Sequence, residues 1–332
     1  MKRVNVDSRQ QALQTWLVNV LKKENFNLTS ASSDASFRRY FRIHFPEVTL
    51  IAMDAPPPQE DCRPFVKVAQ QLLAAGLNVP QIIAQDVEQG FLVLGDLGND
   101  TYLSKLNLKT APNLYKDATN ALIKMQLASQ PNQLPEYDEA LLTREMQLFP
   151  DWYIAKHLNV TLNEAQQQVL HKTFSVLNQN ILAQPKVTVH RDYHSRNLMV
   201  TEQNNPGILD FQDAVFGPIT YDLVSLLKDA YIAWDEEEII DWAVRYWQAA
   251  KKAGLPMPDD FSEFYLDFEW MGAQRHIKVL GIFARLYHRD GKDGYLKDMP
   301  LVMNYLRKVC ERYVELRPML RLLNELESFK SA

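Results

Sequence analysis

The chain has 332 residues and a mass of 38.4 kDa, enough for about two domains and for a core that needs no covalent staples. Its 46% hydrophobic and 23% charged residues are those of an ordinary globular protein, which excludes a disordered, collagenous or coiled-coil character. Acidic residues (41) outnumber basic ones (36), a net charge of −5, which argues against a dedicated nucleic-acid binder. In chain order, Leu13, Trp16, Leu17, Val20 and Leu21 fall at i, i+3, i+4, i+7 and i+8 and predict an amphipathic helix. Residues 40–45 and 49–53 read as strands joined through Pro46-Glu47, as in a hairpin. After the break at Pro56-Pro57-Pro58, the residues Phe65, Val66, Ala69, Leu72 and Leu73 mark a second helix, capped near Gly76. Residues 81–85 and 91–94 read as two more strands about a turn at Gln89-Gly90.

The polar stretch 95–100 reads as a hinge. Helical periods then run through 112–128 and 163–183, with short strand-like pieces at 187–189, 198–200 and 207–209. From Tyr221 to about Glu327 the pattern is helical again, interrupted at 254–260 and 291–300. The expected fold class is α+β: a small β-rich lobe (1–94), a hinge (95–100) and a large, mostly helical lobe (101–332). Cys62 and Cys310 form no CxxC pair, so neither a disulfide framework nor a structural zinc site is expected. The charged start has no apolar core after it and no run reaches about 18 apolar residues, so neither a signal peptide nor a membrane span is read, and the expected location is the cytoplasm.

Chemistry concentrates in His190-Arg191-Asp192-Tyr193-His194-Ser195-Arg196-Asn197, a polar loop between two β-like runs. Shortly after it, Ile208-Leu209-Asp210-Phe211-Gln212-Asp213 again delivers an acid at the end of an apolar run. His-x-Asp-x-x-x-x-Asn followed by an apolar-Asp-Phe segment is the spacing of a kinase catalytic loop and metal loop. Phosphoryl transfer needs a carboxylate to take the proton of the acceptor hydroxyl, and Asp192 fits that role. Hard divalent ions on phosphates want oxygen ligands, which Asn197 and Asp210 offer; His190 braces the loop. A second reading takes His190, Asp192 and His194 as a zinc metallohydrolase cluster.

These segments resemble the aminoglycoside phosphotransferase and choline kinase superfamily, which has the bilobal protein-kinase-like fold. The similarity is closest to the branch of bacterial anomeric N-acetylmuramate/N-acetylglucosamine kinases of cell-wall recycling. It is carried by residues 34–42, 53–57, 190–197, 209–214, 217–223 and 274–281, nearly the whole chain. The resemblance implies Asp192 as catalytic base, Asn197 and Asp210 as Mg²⁺ ligands, and ATP between the lobes. Adenine would bond to backbone near Leu94, Gly95 and Asp96. The stretch 32–36, with Ser33 and Ser36, would cover the phosphates with backbone and hydroxyl donors. Asp222 would steady the catalytic loop through backbone N–H groups, or else serve as an acid at a helix start.

The chain departs from the protein-kinase pattern at Met53, where a phosphate-gripping lysine belongs; a methionine cannot donate to phosphate. Arg38 and Arg39 follow the presumed phosphate loop, and strand alternation sends one toward the site and one away; Arg39 is the expected substitute. Met53 also leaves a non-catalytic nucleotide-binding module open. For the acceptor, the stretch 144–153, with Glu145 and Trp152, mixes carboxylates with aromatics as a sugar site requires. Asp213 is a candidate acid beside the metal, and Arg196, Arg275 and Lys278 could meet the lactyl carboxylate of N-acetylmuramate. An aminoglycoside or other amino-alcohol phosphotransferase is the alternative within the same class. The expected partners are a small-molecule amino sugar, ATP and Mg²⁺, with no nucleic acid and no membrane.

Overall fold

Residues 8–33 and 37–328 are described by a computed structural model of the chain. They divide into two compact units, one made of the described residues up to 100 with 199–213, the other of 101–198 with 214–328. In the first unit α1 (Ser8–Leu21) precedes five antiparallel strands: β1 (Asn27–Ser33), β2 (Arg39–His44), β3 (Thr49–Asp54), β4 (Ile82–Asp86) and β5 (Phe91–Gly95). Their spatial order is β1-β2-β3-β5-β4. The hairpin read at Pro46-Glu47 is present, closed by Phe45 N donating to Val48 O at 3.0 Å.

Alternation along β2 turns Phe41 and Ile43 inward, where they meet Leu13 and Leu17 of α1 with Ala52, Phe91 and Val93. Each such buried leucine contributes about 1.5–3 kcal/mol. Trp16 and Leu21 pack against the same cluster, and of the five predicted stripe positions only Val20, 38% exposed, lies off it. In α2 (Arg63–Ala74) the buried face is Phe65, Val68, Ala69 and Leu72, and Val66 and Leu73 lie outside it. That face follows the i, i+3, i+4, i+7 rule. Gly76, at φ +75°, closes the helix, with Gly76 N bonded to Leu73 O and Leu77 N to Leu72 O.

The hinge stretch is tied down by Arg42, which donates to Asp96 at 2.6 Å, to Gly98 O at 3.0 Å and to Asn99. Although far away in sequence, 199–213 packs with this unit. Ile208 N donates to Asn78 O at 2.7 Å, Val200 N donates to Asp100 O at 2.7 Å, and Phe211 lies 4.7 Å from Phe65.

The second unit begins with α3 (Tyr102–Lys105), α4 (Ala111–Leu127) and α5 (Glu139–Leu148). A π-helical turn (Phe149–His157) leads on to α6 (Glu164–Ala183) and β6 (Lys186–Val189). The two-residue strands β7 (Leu198–Met199) and β8 (Gly207–Ile208) follow in the chain, then β9 (Val215–Pro218), which pairs antiparallel with β6. The remaining helices are α7 (Tyr221–Leu227), α8 (Glu236–Lys252), α9 (Phe261–Asp290), α10 (Met299–Arg312) and α11 (Arg317–Ser328). The two predicted interruptions hold Gly254 (φ +91°) and Gly291 (φ +67°). The buried α9 is central and packs against α5, the π-helical turn, α6, α7 and α10. At Gly281 a Cβ would sit 2.4 Å from the Leu148 carbonyl carbon, so only glycine lets α9 approach the end of α5. The π-helical turn and β9 were not predicted.

Candidate active site

The loop after β6 is held by two buried carboxylates. Asp222, in the first turn of α7, accepts from His190 N at 2.7 Å and Arg191 N at 3.0 Å. Asp229 accepts from Ser195 N at 3.0 Å and from the Ser195 hydroxyl. Leu103 N donates to Ser195 O at 2.9 Å, and Tyr193 Oη to Ala118 O at 2.9 Å. Inside the loop, Asn197 Nδ2 donates to Asp192 O at 3.0 Å and Asp192 N to His190 Nδ1 at 3.2 Å. Arg191 sits at φ +77°, a left-handed conformation that costs a long side chain energy and that persists only where surrounding contacts over-determine it.

These bonds engage the backbone of Asp192 and leave its half-buried carboxylate for chemistry. Burial alone would push that carboxyl up. Lys278, His194 and Arg275 outweigh burial and hold it below the ordinary carboxylate range. It is therefore ionised at neutral pH and able to receive a proton. Burial and nearby Asp222 contacts work differently on the brace: burial pushes Asp222 up to about 7, against the two backbone N–H groups that favour its charged form.

Glu145 lies at the centre of a buried network rather than facing solvent. It meets Lys278 Nζ at 3.0 Å, Arg191 Nη2 and the Tyr137 hydroxyl. Burial raises its pKa, but Lys278 and Arg191 prevail and hold it below the usual range. Arg196 is stacked 3.5 Å over the Tyr231 ring and lies 3.9 Å from Asp298. Trp152 is half-buried in the π-helical turn, and Arg275 is buried in α9.

In the first unit, Asp210 ends an apolar run at φ +63° and accepts from Gln212 Nε2 at 2.8 Å. Arg38 Nη2 lies 4.0 Å from Asp210 Oδ1, and Asp213 is exposed. Arg39 instead binds the fully buried Asp54 at 2.6 and 3.0 Å, a carboxylate that Arg9 also holds at 2.8 Å. Alternation thus separates the two arginines as expected, but it is Arg38 that faces the aspartate of the metal loop. Met53 is buried in β3, where it lies opposite Tyr40 of β2 and Leu92 of β5. Leu94 is buried in β5, Gly95 N donates to Gln81 O at 2.8 Å, and the Asp96 carboxylate is occupied by Arg42. The backbone of Ser33 lies opposite Arg39 in the β1–β2 pair, while Ser36 lies outside the described residues.

Among the described residues no group of three or more His, Cys, Asp or Glu is set to hold a metal ion. His190 is engaged through Nδ1, so the zinc reading of His190, Asp192 and His194 finds no assembled cluster. The oxygen donors of Asn197 and Asp210 suit a hard divalent ion: Asn197 donates through Nδ2, which leaves Oδ1 as its acceptor end. The sequence did not point to Asp229, although a charged pair, Lys228-Asp229, closing the apolar run 223–227 was a signal for a buried polar role. No helix among the described residues is long and apolar enough to cross a membrane.

An antiparallel sheet in one unit, and in the other a mostly helical body carrying a braced His-x-Asp loop, define the class of small-molecule kinases with a protein-kinase-like fold. The same fold is seen in choline kinase LicA from Streptococcus pneumoniae, with a TM-score of 0.65 over 91% of this chain and 100% of that one, at 11% identity. Residues 27–261 match the family described as the phosphotransferase enzyme family, and the chain belongs to that family. It is 50% identical over 323 residues to the N-acetylmuramate/N-acetylglucosamine kinase of Neisseria meningitidis serogroup B, covering 96% of each chain. It is 48% identical over 332 residues to the enzyme of the same name from Pseudomonas putida, covering 97% of this chain and 98% of the relative. Membership of the family implies ATP as phosphoryl donor and a divalent metal ion.

Proposed function

We propose that the protein is an ATP-dependent kinase that phosphorylates the anomeric hydroxyl of N-acetylmuramate or N-acetylglucosamine, serving cell-wall recycling in the cytoplasm. The observation that carries this reading is the half-identity over almost the full length to two kinases that bear those sugars in their names.

In this reading Asp192 orients the acceptor hydroxyl and takes its proton as the new O–P bond forms and the bond to the ADP oxygen breaks. Asp222 and Asp229 keep the loop from relaxing as the charge moves. Asn197 and Asp210 would each offer an oxygen to Mg²⁺, which when bound would offset the negative charge of the phosphates. Arg38, which lies 3.8 Å from Glu60 and 4.0 Å from Asp210, supplies the cation that Met53 cannot, while Arg39 is held by the fully buried Asp54. Backbone near Leu94 and Asp96 receives the adenine, and Trp152 and Asp213 border the acceptor.

The test is ATP turnover with each of the two sugars, choline and an aminoglycoside. Turnover with the sugars alone is expected. Asp192→Asn should lower it by about 10²–10⁴-fold while nucleotide affinity is kept. Turnover confined to choline or the aminoglycoside, or an active Asp192→Asn variant, would overturn the reading.

A further inference from the structure

We infer that Arg275 is the specificity residue that binds the carboxylate of an acidic amino sugar and so distinguishes N-acetylmuramate from its neutral counterpart; this rests on the function proposed above. Among the described residues Lys278, Arg191, Arg196 and Arg275 lie around the loop 190–197, and the first three each have a charged partner. Lys278 and Arg191 are joined to Glu145. Arg196 is stacked on Tyr231 and sits near Asp298. Arg275 is 4% exposed, yet its Nε and Nη1 are buried without a hydrogen-bond partner.

A guanidinium does not shed its proton, so a buried one with idle donors is a standing cost that an anion would relieve. Its planar fork matches a carboxylate through two parallel N–H···O bonds. Position agrees with this role. Arg275 lies three residues before Lys278 on α9, so the two project from neighbouring points of one helix face. Its charge reaches Asp192, His194 and Tyr231, which places it beside the base. The two relatives' names join a sugar that bears a carboxylate with one that does not. A buried cation with two unused donors close to the base is a group able to tell them apart.

The experiment compares kcat/KM for N-acetylmuramate and for its carboxamide, in which the lactyl acid is a neutral amide, in the wild type, Arg275→Gln and Arg275→Lys. N-acetylglucosamine serves as control. The wild type should prefer the acid by about 10–100-fold, the worth of a charge-assisted bond. Arg275→Gln should bring that preference to within about threefold, and Arg275→Lys, a point charge without the fork, should keep part of it. A wild type that treats acid and amide alike overturns the inference without any variant having to fold. So does a variant that slows acid, amide and neutral sugar by one common factor, which would mean that Arg275 acts on the transferred phosphoryl group. If the wild type turns over none of the sugars, the proposed function fails and takes this inference with it; if it turns over N-acetylglucosamine but shows no acid preference, the inference fails alone.

Discussion

At the scale of single residues, the ionised groups of the second unit hold one another in place. Glu145 is 5% exposed and faces Lys278 and Arg191. Glu145→Gln removes the negative member and leaves the buried Lys278 and the half-buried Arg191 without their partner, at a cost of about 3–5 kcal/mol. The pH dependence has a definite sign. The folded pKa of Glu145 lies below its unfolded value of about 4.3, so its stabilisation is fully present above that value. It is lost as pH falls through the lower folded pKa. Denaturant melts of wild type and variant should therefore differ most at pH 7 and converge in strong acid; a gap that stays constant with pH would contradict the network.

Asp222 behaves oppositely. Its folded pKa of about 7 lies above the unfolded value of about 3.9, so its contribution to stability is fully present below the unfolded value and lost as pH rises through 7. Asp222→Asn should flatten the fall in melting temperature over that window. An unchanged slope would show that the two backbone N–H groups keep the carboxylate ionised throughout.

In the sequence, Asp192, Asn197 and Asp210 stand out by a spacing that follows from the chemistry of phosphate and metal. The bracing role of Asp222 came from the family resemblance, and the structure places its carboxylate on the loop backbone. The residue-level reading could not reach Asp229, or see that Glu145 is buried, because both depend on which helices pack together. It favoured Arg39 over Arg38, since alternation gives two faces but not which of them meets Asp54.

At the scale of elements, four of the five strands of the first unit and the long helices of the second were legible in the sequence, whereas the polar β1 (Asn27–Ser33) was not. Nor was the π-helical turn. Phe149, Tyr153 and Ile154 are buried at spacings that an α-helix would also give. A widened turn changes the backbone bonds before it changes the apolar pattern. β9 was hidden because Gly217 and Pro218 occupy half of it, and its strand character comes from pairing with β6, some thirty residues earlier.

Packing at α9 makes its own prediction. Gly281→Ala forces a Cβ against the Leu148 backbone, which a side-chain shift cannot relieve. The expected loss is about 1–3 kcal/mol or more. Because α5 carries Glu145 and the adjoining π-helical turn carries Trp152, turnover should fall as well. A melting temperature equal to wild type would show that α9 and α5 do not approach so closely.

At the scale of the whole molecule, the chain builds one unit from two distant stretches, the described residues up to 100 and 199–213, and in doing so seats the Asp210 segment on α2 through Phe65 and Phe211. The loop 190–197 belongs to the other unit and is braced there by α3, α4 and α7.

The central claim concerns which bond the protein makes. Phosphorus NMR of the product formed from ATP, Mg²⁺ and N-acetylmuramate tests it most directly. The account predicts one sugar phosphate, with phosphorus coupled to the anomeric proton, accumulating in step with ADP. A phosphate on another hydroxyl, or ADP and inorganic phosphate alone, would contradict it.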